Sequence, residues 1–317
     1  MIRVKISNFI KKHKYKIYEF GKKMIMVAMI VFIATIVMSS LSTFKSDDKT
    51  DKSNTYKPTQ TVIQGSDISK EQYEQDSNLV NKFLKYCNNK QIEAAYNLLS
   101  EECKQEMYPQ IDIFKKNYYD FIFSTERECN LQSWISTKEY TIYKVRYTNN
   151  MLSTGTYNEN DVYQDYLTLK KKNDEEKISI GNFIDFEKLN IVSKTEEIEV
   201  VVTKKKTYMT YEEYEMEIKN NMRTTMLLND LKTGSTMRLI TKSGTEYNAN
   251  INKFFTSDLL VTPGERKKVT IRFKKNFNIN QESDRIEIVN IIKDYDIYTK
   301  SKEEYTDTTK ITIDVRG

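Results

Sequence analysis

The spacing of hydrophobic and polar positions changes character three times along this chain. The first stretch has no period. Met24–Phe44 is a run of 21 residues without a charge, a Pro or a Gly. At ~1.5 Å per residue a helix of this length reaches the ~30 Å hydrocarbon thickness of a bilayer, so the run predicts a single N-terminal transmembrane helix. From residue 69 the apolar positions recur at helical spacing. Ser69 and Gln72 match a capping box, and the helix they open is predicted to run to about Asn88, with Tyr73, Val80, Phe83 and Cys87 near one face. IEAAYNLLS predicts a second helix and SEECKQEM a further turn or two. After Pro109, QIDIFKKNYYDFIF predicts a third, with Ile113, Phe114, Tyr118 and Phe121 inward. The period then drops to two. Strands are predicted near 129–136, 139–148, 162–171 and 177–184, the last two joined through KNDEE as a hairpin. From about 193 the pattern predicts strands alone, punctuated by KSG at 242–244 and TPGE at 262–265. The fold class expected is therefore one transmembrane helix, an α+β domain (three helices, then a curved antiparallel sheet) and a C-terminal all-β sandwich. The expected borders are 1–23 for a basic tail, 24–44 for the span, 45–68 for a flexible tether, 69–192 for the α+β domain and 193–317 for the sandwich.

Charge orients the predicted span. Residues 1–23 carry eight Lys or Arg and one Glu, while KSDDKTDK after the run is mixed in sign. The positive-inside rule puts the N-terminus in the cytoplasm, the helix in the plasma membrane and everything after residue 44 outside. A cleaved signal peptide is the competing reading; the long apolar run and the lack of an A-x-A site speak against it. The chain is +5 overall, but its first 23 residues account for +7, so the remainder is −2. That removes the electrostatic basis for nucleic-acid binding, while the tail suits an anionic inner leaflet. The abundance of Lys, Asn, Ile and Tyr suggests an AT-rich, Gram-positive source.

Composition then narrows the chemistry. The sole histidine is His13, so residues 45–317 have no imidazole for Ser-His-Asp, Cys-His or HExxH systems. Cys87, Cys103 and Cys129 form no CxxC pair. The first two continue apolar helical stripes, and a Cys103–Cys129 disulfide is left open. There is no GxGxxG, no GxxxxGK[ST] and no EF-hand spacing, so no cofactor or metal is expected.

The stretch FLKYCNNKQIEAAYNLLSEECKQEM…FKKNYYDFIF, with a strand meander after it, resembles the nuclear transport factor 2-like family over residues ~69–190. That resemblance implies a cone-shaped sheet with a pocket, in a family that includes both enzymes and inert interaction domains. EYEMEIKNNMRTTMLL and VTPGERKKVTIRF resemble strands of small immunoglobulin-like domains of bacterial envelope proteins, over ~193–300.

Alternation in VYQDYLTL places Tyr163, Asp165, Leu167 and Leu169 on one face. A carboxylate among apolar neighbours suits a base of raised pKa, and equally a structural hydrogen-bond acceptor. Asp165, Tyr163, Tyr143 and Trp134 are the candidate ligand-binding residues; no residue is assigned a catalytic role. Asp165→Asn is expected to leave activity intact and to cost about 1 kcal/mol. The function expected is a non-enzymatic, membrane-anchored scaffold of the cell envelope. Its expected contacts are lipid, through the span and tail, and envelope or secretion-apparatus proteins. The alternatives are a structural subunit of a conjugation or type IV secretion apparatus, and a small-ligand binder or isomerase-like enzyme using the cone pocket.

Overall fold

Ser69 opens the longest helix, α1 (Lys70–Asn88): its hydroxyl accepts from the Gln72 amide, and Val80, Phe83 and Cys87 are buried on the inward face. The chain is seen here in a computed structural model that describes residues 62–149, 162–172 and 175–316. Shorter helices follow: α2 (Ile92–Asn97), α3 (Glu101–Met107), α4 (Ile111–Phe114) and α5 (Asp120–Ile122). The expected second helix is thus cut in two. After the helical cap residue Leu98, the chain at Leu99 bridges in parallel to Ile178, with Ser100 N donating to Ile178 O at 2.9 Å and Ile178 N to Leu98 O at 3.1 Å. The expected third helix carries a π turn at Lys115–Tyr119. The extra residue per turn lets the adjacent Tyr118 and Tyr119 both point inward, and each is buried.

These helices cover one face of a five-stranded sheet. It is formed by β1 (Gln64–Gly65), β2 (Arg127–Ser136), β3 (Tyr140–Asn149), β4 (Tyr163–Lys172) and β5 (Glu175–Ser179), in that spatial order. Phe83, Phe114, Tyr118, Phe123, Tyr143, Tyr147 and Leu167 fill the space between helices and sheet. The end of the expected tether is part of this sheet, because Gly65, at φ +101°, brings its backbone against Ser136 O, where a Cβ would meet that oxygen at 1.8 Å.

The remaining strands build two facing sheets. One holds β6 (Phe183–Lys194), β7 (Ile198–Tyr208), β8 (Glu212–Asn220) and β13 (Arg266–Phe273), ordered β13-β8-β7-β6. The other holds β9 (Met226–Leu227), β10 (Met237–Thr241), β11 (Glu246–Asn248), β12 (Leu260–Val261), β14 (Ser283–Ile292) and β15 (Thr308–Asp314). The β8 pattern alternates at every position, and its inward Tyr214, Met216 and Ile218 meet Leu239, Ile286 and Ile288 from the facing sheet.

Three expectations need correction. The fold class is not a membrane span followed by three helices and strands in equal standing. The described residues are mostly strand, 44%, against 24% helix, because period-two alternation runs from Arg127 almost to the end while the helical stretch breaks into short pieces. The expected span Met24–Phe44, the basic tail and most of the tether lie outside the described residues. Among the described residues no helix is long and apolar enough to cross a membrane, since α1 carries Lys and Glu along its length. The single-pass plasma-membrane placement, with its topology, therefore has no support. Finally, the predicted strand 177–184 is two strands in different sheets. Gly181 (φ +70°) and Asn182 (φ +62°) form a left-handed two-residue turn between them. The border expected at 192/193 falls inside β6, and the described residues belong to one compact unit, Pro58–Gly317.

Candidate interaction site

Asp165 sits on β4 with its side chain toward the helices and is 4% exposed. Its neighbours on that face, Leu167 and Leu169, are buried and Tyr163 is half-buried. Both carboxylate oxygens are occupied. Oδ1 accepts from Tyr166 N at 2.7 Å and Asn182 N at 2.9 Å; Oδ2 accepts from Tyr118 Oη at 2.8 Å and Gly181 N at 3.0 Å. Burial pushes its pKa above the ordinary 3.8, and those donors pull in the opposite direction. Tyr118 Oη also lies 3.3 Å from Tyr147 Oη. Burial first, and the Asp165 charge second, hold both phenols well above their ordinary value, so neither supplies an accessible proton near neutral pH. Two donors on each oxygen use the lone-pair capacity of a carboxylate. Asp165 fastens the Gly181–Asn182 turn, the point at which the chain leaves the first sheet for the second.

The other three candidates do not join it. Tyr143 is fully buried and donates to Asp76 Oδ2 at 2.5 Å, while Gln72 donates to the other oxygen. Tyr163 stacks edge-on against Phe121 at 5.1 Å, with the Arg127 guanidinium 4.8 Å from its centroid. Trp134 is the extra residue of a β-bulge between Ser133 and Ile135, and belongs to the opposite face, with the Tyr166 ring 5.6 Å away and Lys144 Nζ 5.1 Å away. The cysteines are free. Burial pushes Cys103 up to about 12 and Cys129 to about 11, so no thiolate is poised near neutral pH and the disulfide left open is absent.

A second buried polar group lies where the first sheet meets the facing sheets. Glu212 accepts from Lys275 Nζ at 2.6 Å, Ser283 Oγ at 2.7 Å and Tyr214 Oη at 2.8 Å, with Glu212 4% and Lys275 2% exposed. They line a polar cavity of about 610 Å³ with Tyr140, Asp185, Lys205 and Phe277. Beside it, Glu106 of α3 accepts from Lys204 at 2.8 Å and pairs with Lys206 at 3.2 Å, riveting the helix layer to β7. Period arguments miss these groups, since the pairing partners Glu212 and Lys275 sit on separate strands or loops far apart in the chain.

The face of the first sheet away from the helices is closed at one end, where Ile135 and Ile142 pack against Ile184 and Met209, and uncovered at the other, where it carries a different chemistry. Cross-strand register places Asn130, Arg146 and Gln164 in one row and Gln132, Lys144 and Tyr166 in the next. All of these but Tyr166 floor an open trough of about 590 Å³, with Thr148 and a single carboxylate, Glu128, at one end. Lys144 and Arg146 make no ion pair among the described residues. By contrast, strand cations of the facing sheets are widely paired: Lys206 with Glu215 at 2.7 Å, Arg272 with Glu213 at 2.7 Å, Arg266 with Glu199 at 2.8 Å. The sequence signal for the trough is present, a polar residue at every second position from Glu128 to Gln132 on β2 and from Lys144 to Thr148 on β3, but it is also the signal of any solvated sheet face.

No family model matches the chain, and no curated protein or solved structure matches it. The resemblances to nuclear transport factor 2-like and immunoglobulin-like domains, and the Gram-positive origin, gain no support from the structure or from these comparisons. Among the described residues there is no cluster of metal-ligating side chains.

Proposed function

We propose that this protein is a non-enzymatic interaction protein, a scaffold that presents the uncovered face of its first sheet to a partner protein. One observation carries the reading: the carboxylate best placed to be a base, Asp165, has all its acceptor capacity spent on Tyr118 and on three backbone amides. A base needs a free lone pair within reach of a substrate proton, and this one faces a turn of its own chain. Around it, aromatic side chains fill the space that a ligand would need. Phe83 and Phe123 meet edge-on at 6.3 Å, and Phe123 and Tyr147 at 5.5 Å. The accessible chemistry is on the outer face instead.

The test pairs a substitution with crosslinking. Tyr118→Phe removes the hydroxyl nearest Asp165 but keeps the ring, and it should complement a deletion strain fully. A photo-reactive residue at Arg146 of the full chain should capture a protein in native cells, and one at Lys310, on the far sheet, should not. Loss of function in Tyr118→Phe with an unchanged melting temperature would restore the enzyme reading.

A further inference from the structure

β2 is an edge strand over most of its length. It pairs with β3 throughout, but on its other side β1 reaches only Ile135 and Ser136, with Ile63 N donating to Trp134 O at 3.0 Å. At the opposite end, Asn88 clamps Arg127: its Nδ2 donates to Arg127 O at 2.8 Å and its Oδ1 accepts from Arg127 N at 3.0 Å. Between these stops, residues 128–133 have no backbone partner beyond β3 among the described residues. The open segment is about 20 Å long, at ~3.3 Å per residue.

Folded proteins usually blunt such an edge with Lys, Pro or a bulge along it. Here the segment reads Glu128, Cys129, Asn130, Leu131, Gln132, Ser133, and the bulge comes only after it, at Trp134. The edge is therefore competent to take another strand. A strand laid there extends the sheet's outer face by one row position, beside Asn130 and Gln132. Arg146 and Lys144 stand one strand further in, roughly 10 Å from the added backbone, two inter-strand spacings. A Glu and an Arg side chain span that distance between them.

We propose that this edge and the adjoining trough dock an extended acidic segment of a partner protein. The segment would be added as a strand beside residues 128–133, with its carboxylates over Arg146 and Lys144. The assignment rests on the interaction reading above and adds the partner's chemistry to it. Charge complementarity selects acidic side chains, because two cations share the trough with one carboxylate and neither has an ion-pair partner among the described residues. The free backbone edge selects a peptide over a sulfated or phosphorylated polymer, which satisfies charge but not a row of amides and carbonyls.

The experiment measures fluorescence anisotropy of a labelled octapeptide of alternating Glu and Val against the full chain at low salt. Three comparators are run: Lys in place of Glu, the same acidic peptide N-methylated at every residue so that both of its edges are blocked, and inorganic polyphosphate as competitor. Saturable binding is expected for the acidic peptide and none for the Lys form or the N-methylated form, which cannot pair along an edge. Lys144→Glu with Arg146→Glu should weaken binding about tenfold, since two attractions become repulsions. The fold of this double variant is checked by its melting temperature. The proposal is overturned by an absence of saturable binding, by equal binding to the charge-reversed variant, or by N-methylated peptide and polyphosphate binding as tightly as the acidic strand. The last result identifies a bare charge patch. A protein captured by crosslinking at Arg146 without binding of the acidic peptide rejects this assignment and leaves the scaffold reading standing.

Discussion

Replacing Asp165 by Asn isolates the work done by its four hydrogen bonds. The amide keeps one acceptor oxygen. Set in the place of Oδ1, that oxygen still receives Tyr166 N and Asn182 N, but the NH2 group then faces the Gly181 N–H, donor against donor. Flipping the amide moves the conflict to Tyr166 and Asn182. Tyr118 escapes it by turning its hydroxyl toward Tyr147, 3.3 Å away. At least one buried amide is left without an acceptor. An unsatisfied buried group costs about 1–3 kcal/mol, so the expected loss is about 2 kcal/mol, twice the figure inferred from sequence. The cost comes from the donor conflict and not from the lost charge, because a protonated Asp165 keeps a lone pair for Gly181 and hands its own proton to Tyr118. With about 2–4 °C per kcal/mol for a unit of this size, the melting temperature should fall by about 6 °C. Scanning calorimetry of wild type, Asp165→Asn and Tyr118→Phe measures it, and hydrogen exchange at Gly181 should quicken in the Asn variant alone. A drop under about 2 °C, with Gly181 protection unchanged, refutes the role of the carboxylate as the clasp of this turn.

Other variants probe the joint and the turn. Lys275→Met leaves Glu212 charged and buried beside an apolar chain, and should cost about 4 kcal/mol in urea denaturation; adding Glu212→Gln should recover about half, and a double-variant loss equal to the sum of the two single losses would show that the pair is not coupled. At Glu212, burial opposes ionisation, but Lys205, Lys275 and Ser283 outweigh it and hold the pKa below the ordinary 4.5; Lys204 and Lys206 do the same at Glu106. A depressed carboxylate contributes stability that is complete above its unfolded value and lost as pH falls through its folded value. The melting temperature should therefore hold above pH 4.5 and drop below it, less steeply in Glu106→Gln; a flat profile through the acid range contradicts this. Gly181→Ala and Gly244→Ala each place Ala at positive φ, +70° and +84°, but only at Gly181 would the new Cβ meet another group, Tyr108 Oη at 2.8 Å. Gly244→Ala should cost about 1 kcal/mol and Gly181→Ala at least ~1 kcal/mol more; equal costs in parallel melts would refute the contact.

Local physics made part of this molecule readable in advance. A side-chain cap needs residues three apart, so Ser69 and Gln72 announced the start of α1. Alternation needs neighbours two apart, so the inward setting of Asp165, Leu167 and Leu169 was visible on β4. What escaped depends on partners distant in the chain. Leu99–Ser100 has helical neighbours on both sides, yet Ile178 draws it into a bridge. Gly181–Asn182 is a hairpin-turn dipeptide inside what reads as one strand, and the strength of that signal is plain only once Asp165 is seen to hold it. Of the candidate site, the placement of Asp165 was legible but its occupancy was not, since three of its four donors are backbone amides. Trp134 follows Asn130 and Gln132 onto the outer face by plain alternation, away from Asp165; the bulge beside it sends Ile135 to that face as well. The trough was not distinguishable from ordinary solvated strand faces until register aligned Arg146 and Lys144 with no acid among the described residues to meet them.

β6 leaves the clasped turn and goes straight into the ladder with β7, with α3 bolted to that same partner strand through Glu106 and Met209 N bonded to Asn182 O at 2.9 Å. The passage from helix-covered sheet to facing sheets is therefore a splice and not a swivel. Both parts should share one rotational correlation time, and a tug applied at one end is carried across in shear by a row of backbone bonds instead of being taken up by slack chain. Whatever is held on the first sheet is then held at a set bearing and reach from the far sheets, as on a bracket.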